Sequence, residues 1–399
     1  MRRNDHMRKA ALLSSLLALV VALSLGGVWA LTRPAERVNV QAELSLSDAL
    51  STRNDSGFKR ITAARDFDFP RDHGPHADYA IEWWYFTGNL DAAANRHFGY
   101  ELTLFRIGLS SEEPASGDSD WSASQVFMGH FALTDVENDR FYDFERFSRQ
   151  ALGLANATFE NDSFAVWLED WSVQGDGQLK PSVKLTAEEN GIAIDLSLIS
   201  AKPLVLQGED GLSHKSADEG NASYYYSATR MQTSGVVSIA GDEFSVKGSS
   251  WMDREWSTTA LSADQVGWDW FALQLSDGRD LMYYQLRQQD GQADPFSSGI
   301  LVMPDGSSIS LASGDVEIEV LDTWTSPQGI EYPSRWRLSV PSAGLELELV
   351  PYIADQVLNV SITYWEGAVR VSGTADGLPV QGQGYVELTG YAGESGGRS

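Results

Sequence analysis

Residues 248–257 read GSSWMDREWS, which sets Trp251 and Trp256 around Asp253, Arg254 and Glu255. In a strand, alternation places Trp251, Asp253 and Glu255 on one face and Met252, Arg254 and Trp256 on the other. Carboxyl groups two residues apart on a strand lie roughly 7 Å from one another. Enclosed in a dry aromatic pocket, at least one would keep its proton near neutral pH and could deliver it to a bound molecule. Asp253 and Glu255 are therefore the candidate catalytic acids. The alternative is an irregular turn in which Arg254 pairs with a neighbouring acid and no chemistry takes place.

Other reactive side chains form weaker patterns. His73 and His76 sit in a Pro/Gly-rich stretch, but no run such as H-E-x-x-H accompanies them, so no metal site is expected. His130, inside the apolar run FMGHFALTD, reads as a buried, hydrogen-bonded histidine. Residues 223–235, SYYYSATRMQTSG, bring three tyrosines that either offer hydroxyls to a cavity or pack; Tyr225 is the candidate ligand contact. No nucleophile elbow, P-loop or dinucleotide fingerprint occurs, so no cofactor is expected.

The elements that must position these residues are strands. Beyond about residue 65, short runs rich in β-branched and aromatic residues alternate with turn signals such as AGD, PDGSS and SDGRD. The chain reads as all-β. WWYFTGNL, residues 83–90, aligns without gaps on WDWFALQL, residues 268–275, and each is followed by a turn and a strand ending in Arg. A shared strand–turn–strand unit in the two halves implies duplication. Alternation sends Phe86 and Leu90, like Phe271, Leu273 and Leu275, towards a core. Trp83, Tyr85 and Asn89 share the opposite face, as do Trp268, Trp270 and Gln274. That face suits an elongated apolar ligand with one polar end, or an interface between domains. Trp83, Tyr85, Trp268, Trp270 and Gln274 join Tyr225, Trp251 and Trp256 as candidate ligand contacts.

Composition narrows the class of partner. A formal charge of −27 argues against nucleic acid, whose phosphates need clustered cations. The absence of cysteine excludes disulfides, thiolate catalysis and Cys-ligated zinc. Arg2, Arg3, Arg8 and Lys9 precede an uncharged apolar stretch from Ala10 to Leu31 that ends in Val28-Trp29-Ala30. This reads as a signal peptide or an inner-membrane anchor, with the rest of the chain periplasmic or otherwise extracytoplasmic.

The segments FPRDHGPHADYAIEWWYFTGNL, FMGHFALTD, YYYSATRMQTSG, GSSWMDREW, GWDWFALQLSDGRDLMYYQLR and YWEGAVRVSG…GQGYVELTGY occur in an order that resembles one family. It is the lipocalin-like family of hydroxyneurosporene synthase (carotenoid 1,2-hydratase) and AttH-type exported bacterial proteins. The resemblance implies two lipocalin-like antiparallel β-barrels packed side by side, and the apolar Ala10–Leu31 stretch is expected to precede them as an N-terminal hydrophobic helix. The expected division is 1–31 signal or anchor, 32–65 linker, 66–248 N-terminal domain and 249–393 C-terminal domain. It also implies a hydrophobic small molecule, lipid or isoprenoid, as ligand. Two functions follow from it. An AttH-type protein would bind that ligand as an accessory of an ABC export system, with the permease as partner. A hydratase or cyclase would use Asp253 or Glu255 as general acid on a polyene. The family segment usually carries His where this chain has Arg254, and Arg cannot shuttle protons. GWDWF resembles the AttH-type branch.

Overall fold

The computed structural model describes residues 57–111, 123–176, 178, 180–258, 261–262 and 264–392. Among these the strands form two antiparallel, barrel-shaped sheets of 13 and 10 strands. Alternation is visible strand by strand: in Ile192–Ser200 every second residue is buried. Hydrophobic side chains at those positions fill each barrel. Phe86, Leu90 and Phe131 belong to the first core; Phe271, Leu273 and Leu275 belong to the second. The sequence-based assignment of faces holds in both hairpins.

The first sheet opens with a meander of Ile81–Ala92, His97–Gly108, Gln125–Asp135 and Arg140–Arg149. A second meander runs from Ala155–Glu160 to Ile192–Ser200, and the long strands Ala222–Ile239 and Asp242–Ser257 join the two. The second sheet repeats this plan. Gln265–Leu275, Asp280–Gln288, Ser298–Val302 and Ser308–Ala312 form its first meander, and Leu378–Leu388 closes back against Gln265–Leu275. Leaving aside the extra hairpin Ala155–Glu160/Ser163–Leu168, the order of strands is the same in both sheets. The Trp83 and Trp268 hairpins hold corresponding places, so the duplication read from eight residues extends to the whole topology.

Each barrel carries apolar residues on part of its outer surface, and those faces meet. Tyr85, Tyr225 and Trp251 from the first pack against Trp270, Met282, Tyr284 and Tyr385 from the second. Gly99 permits the approach: a Cβ there would stand 2.6 Å from that of Ala368 in the other barrel, well inside van der Waals contact. Asn89 Nδ2 donates to the Gly384 carbonyl at 3.0 Å, and Gln274 Nε2 donates to the Ser250 carbonyl at 3.0 Å. Gly88 pairs with Ser250 and Leu273 with Gly384, so these two bonds are the same bond made once from each side.

Two boundaries differ from expectation. Division at 248/249 would cut the strand Asp242–Ser257, which is paired along its length with Ile81–Ala92 and Ala222–Ile239. The chain passes to the second sheet only between Ser257 and Gln265, because hairpin hydrogen bonds keep WMDREW in the first. The end of the expected linker is also packed: Ile61 is in the first core and Phe58 is buried. The hydrophobic segment 1–31 and its expected helix lie outside the described residues. Among the described residues no helix is long and apolar enough to cross a membrane.

Candidate active site between the barrels

WMDREW is a regular part of the strand Asp242–Ser257, and its two faces serve different purposes. Arg254 and Trp256 point into the first barrel and are buried. The Arg254 guanidinium pairs with Glu82, donates to the Gly74 carbonyl at 2.6 Å and lies 3.7 Å from the centre of the Trp84 ring. Glu82 is also bound by Arg106. Although burial opposes ionisation of Glu82, Arg106 and Arg254 outweigh it and hold the carboxyl well below its usual range. Arg254 therefore does not neutralise the acids that flank it in sequence. Trp256, a candidate ligand contact, stacks on His76 at 3.7 Å between ring centroids inside this barrel. Strand alternation carries it away from the ligand face. His76 bridges Asp72 and Glu82 at 3.1 and 3.3 Å, and His73 Nδ1 bonds the Tyr226 hydroxyl at 2.7 Å. Both histidines are committed to the end of the barrel.

On the other face, Asp253 and Glu255 enter a cavity of about 90 Å³ between the barrels. Trp83, Tyr85, Phe105, Trp268 and Trp270 give it aromatic walls, with Leu261 and Leu286 beside them. Asp253 accepts hydrogen bonds from the Tyr225 and Ser227 hydroxyls and, at 2.7 Å, from Trp251 Nε1. Trp270 Nε1 reaches across from the second barrel to the Tyr225 oxygen at 3.3 Å. No cation pairs with Asp253 among the described residues. Burial pushes its carboxyl up to about 7; the three donors work against that, and nearby Glu255 adds to it. Glu255 is different: Lys215 Nζ lies 3.1 Å away and the Ser223 hydroxyl donates to it. Burial alone would lower the Lys215 ammonium, but Glu255 and Tyr284 more than compensate and hold it above its usual value.

A third acid faces this space, from the other barrel. Glu387 lines the cavity, and burial raises its carboxyl to about 8, against a bond from the Trp268 indole and with repulsion from Asp253 and Glu255. Behind it, Glu366 accepts the Tyr85 hydroxyl at 2.7 Å. Burial, then Glu387 and Glu101, hold Glu366 well above the normal range. The arrangement is a small aromatic chamber with two carboxyl groups that are protonated near neutral pH and one fixed ion pair.

Of the candidate ligand contacts, Trp83, Tyr85, Tyr225, Trp268 and Trp270 line the chamber together with Asp253 and Glu255. Trp251 forms the wall behind Asp253. Gln274 is held between the barrels by its bonds to Ser250 and, at 2.7 Å, to the Thr229 carbonyl. Neither is in its lining. Sequence reasoning missed Glu387, Lys215, Tyr284 and Tyr364. For Glu387 a signal existed: Asp253 pairs with Tyr85 as Glu387 pairs with Trp270, and Tyr85 aligns with Trp270 in the repeat. Lys215 comes from irregular chain after Leu212–His214, where no periodicity points to it.

Comparison with known proteins places this geometry. The AttH-like family matches over residues 60–391. A protein from Nitrosomonas europaea assigned as AttH shares 32% identity, with a TM-score of 0.73 over 84% of this chain and 100% of that one. Kievitone hydratase from Nectria haematococca superposes with a TM-score of 0.59 at 16% identity, covering 84% of this chain and 96% of its own. CghA with Sch210972 does so at 0.53 and 14% identity, over 84% and 97%. The last two likenesses are of fold. No curated protein matches the chain.

Proposed function

The chain belongs to the AttH-like family, and from that premise we propose that it protonates a carbon–carbon double bond of a small isoprenoid or lipid-like molecule held between the barrels. The observation that carries this reading is Asp253, a buried acid with no cation partner among the described residues and a proton retained up to about pH 7. A general acid works best when its pKa lies near the operating pH. The electron-rich faces of Trp83, Trp268 and Trp270 are suited to a carbocation formed by that proton. Water captures the cation to give an alcohol, or a second double bond of the same molecule captures it to give a ring. The fold shared with a kievitone hydratase is consistent with the first outcome.

Volume restricts the substrate. Pockets for drug-sized ligands run to roughly 300 Å³ or more, whereas this chamber has about 90 Å³. It accepts a small molecule or the terminal unit of a longer chain. Geranylacetone, an apolar alkene with one polar end, is a suitable probe. In D₂O the enzyme should introduce deuterium at the alkene and form the hydrate, both detected by mass spectrometry. Asp253→Asn should lower deuterium incorporation at least about a hundredfold, at the low end of general-acid contributions, while quenching of tryptophan fluorescence still reports binding. If neither geranylacetone nor a panel of shorter and longer isoprenoids exchanges deuterium, the catalytic reading fails. A co-purifying lipid would then favour the binding role of an export accessory.

A further inference from the structure

Tyr225 and Tyr364 hold corresponding places in the two barrels. Ser227 pairs with Asp253 and Glu366 pairs with Glu387, and each tyrosine stands two residues earlier on its strand. Both line the cavity. Their hydroxyl partners have diverged. Tyr225 donates to an acid, Asp253, whereas Tyr364 Oη lies 2.7 Å from His130 Nδ1. His130 is fully buried, and its Nε2 lies 3.2 Å from Glu145 Oε1. Register sets that contact, because His130 and Glu145 are direct partners on adjacent strands of the first barrel. Glu145 is also bound by the Ser361 backbone N–H and hydroxyl of the second barrel, and its side chain retains 14% exposure.

We propose that Tyr364, His130 and Glu145 form a proton path leading out of the cavity, which serves as the basic arm of the reaction inferred above and rests on that reading. The direction follows from the donors and acceptors. Glu145 is a carboxylate: burial disfavours its charge, but bonds from His130 and Ser361 bring it below the usual range. It can only accept, so His130 Nε2 carries the hydrogen and Nδ1 accepts from Tyr364. Burial first, then Glu101, Glu366, Glu387 and Glu145, hold the Tyr364 phenol well above its normal value, so its oxygen enters the chain as O–H. A tyrosine that already gives its hydrogen to His130 has lone pairs free for a proton from the cavity.

Asp253, bound by Tyr225, and Tyr364 then divide the reaction. Asp253 gives a proton to one alkene carbon and becomes carboxylate. Water bonds to the other carbon through oxygen. The resulting oxonium loses a proton to Tyr364 as Tyr364 passes its own to His130, and the imidazolium is held by Glu145 until a proton leaves to solvent. Asp253 regains a proton from solvent, so the sum is alkene plus water giving alcohol. Duplication would have supplied two similar sites, and the change of partner from carboxyl to imidazole makes one acidic and the other basic.

Two measurements test the path. NMR of the side-chain nitrogens needs no substrate and should show His130 as the Nε2–H tautomer at neutral pH, with Glu145→Gln altering the His130 signals. A Nδ1–H tautomer would reverse the chain and overturn the proposal even if the protein hydrates alkenes. With geranylacetone in D₂O, Tyr364→Phe and Glu145→Gln should still place deuterium in recovered alkene, because Asp253 remains. Hydration should fall at least about tenfold, more modestly than for the loss of a complete general base. A merely structural clamp between the barrels would instead lower exchange and hydration in step, or lower neither. Asp253→Asn gives the converse pattern, losing exchange first. If wild-type protein neither exchanges nor hydrates, the proposed reaction has failed, and the tautomer of His130 still decides the path.

Discussion

Asp253 and Glu387 stand at equivalent positions of two corresponding sheets and face one cavity. Asp253 is the cross-strand partner of Tyr85, and Glu387 that of Trp270, in hairpins whose sequences align without gaps. Bringing two carboxyl groups into one dry space costs free energy unless they retain protons. The two barrels are thus joined over a site whose protonation state and docking depend on each other.

That dependence predicts an unusual pH profile. Asp253 and Glu387 have folded-state values near 7 and 8, above their unfolded values near 4. Between those limits the native state binds more protons, so stability falls as pH rises. Their contribution is complete below about pH 4 and lost by about pH 8. Asp72 acts in the opposite sense: its carboxyl is lowered to about 2, so its contribution is present above about pH 4 and lost towards pH 2. The melting temperature should peak in mildly acidic buffer and decline towards pH 8. The double variant Asp253→Asn/Glu387→Gln should flatten that decline, and an unchanged slope would show that these groups do not carry it.

Arg254 is a structural ion rather than a shuttle. Removing it leaves buried Glu82 with Arg106 as its one arginine partner, beside His76, and takes a cation from the Trp84 face. Arg254→Met should destabilise the protein by about 3–5 kcal/mol, the usual result of breaking a buried ion pair. Chemical denaturation measures this. Because Arg254 faces the opposite side of the strand, alkene exchange by the remaining folded protein should change little. A large loss of exchange at unchanged stability would contradict the assignment of faces.

The paired amides at the barrel junction should contribute alike. Asn89→Leu or Gln274→Leu removes the amide donor from buried carbonyls, at Gly384 in one case and at Ser250 and Thr229 in the other. Each change should cost about 1–3 kcal/mol in denaturant unfolding. The two losses should be similar, since Asn89 also bonds His97 Nε2 at 3.0 Å and so has two partners, as Gln274 does. Equal stability of both variants and wild type would mean that the docked barrels adjust without these bonds.

Location follows from residues outside the described structure. A basic end followed by the apolar Ala10–Leu31 stretch predicts export of everything beyond it. Alkaline phosphatase fused after residue 65 should be active in intact bacterial cells and inactive once residues 1–31 are deleted. Activity that survives the deletion would refute the assignment. Recovery of an ABC permease by crosslinking from the exported form would support the accessory role.

The sequence by itself determined the strands, their faces and the duplication. Alternation is a local steric property, and so Phe86 and Phe271 could be assigned to cores and Trp83 and Trp268 to a ligand face without knowledge of the fold. It also separated Asp253 from Arg254, which is why their failure to pair follows from regular strand geometry. Only the tertiary structure decided that the chamber lies between the barrels and that Glu387, Lys215 and Tyr364 complete it. Trp256, next to the cavity-lining Glu255, belongs to the first core, as its alternation with Glu255 requires. The physical reason is range. A side chain's direction is set by its own backbone, but its proton affinity is the sum of burial and charge from every strand packed around it. For Asp253 those neighbours come from both halves of the chain, and no spacing within one segment records them.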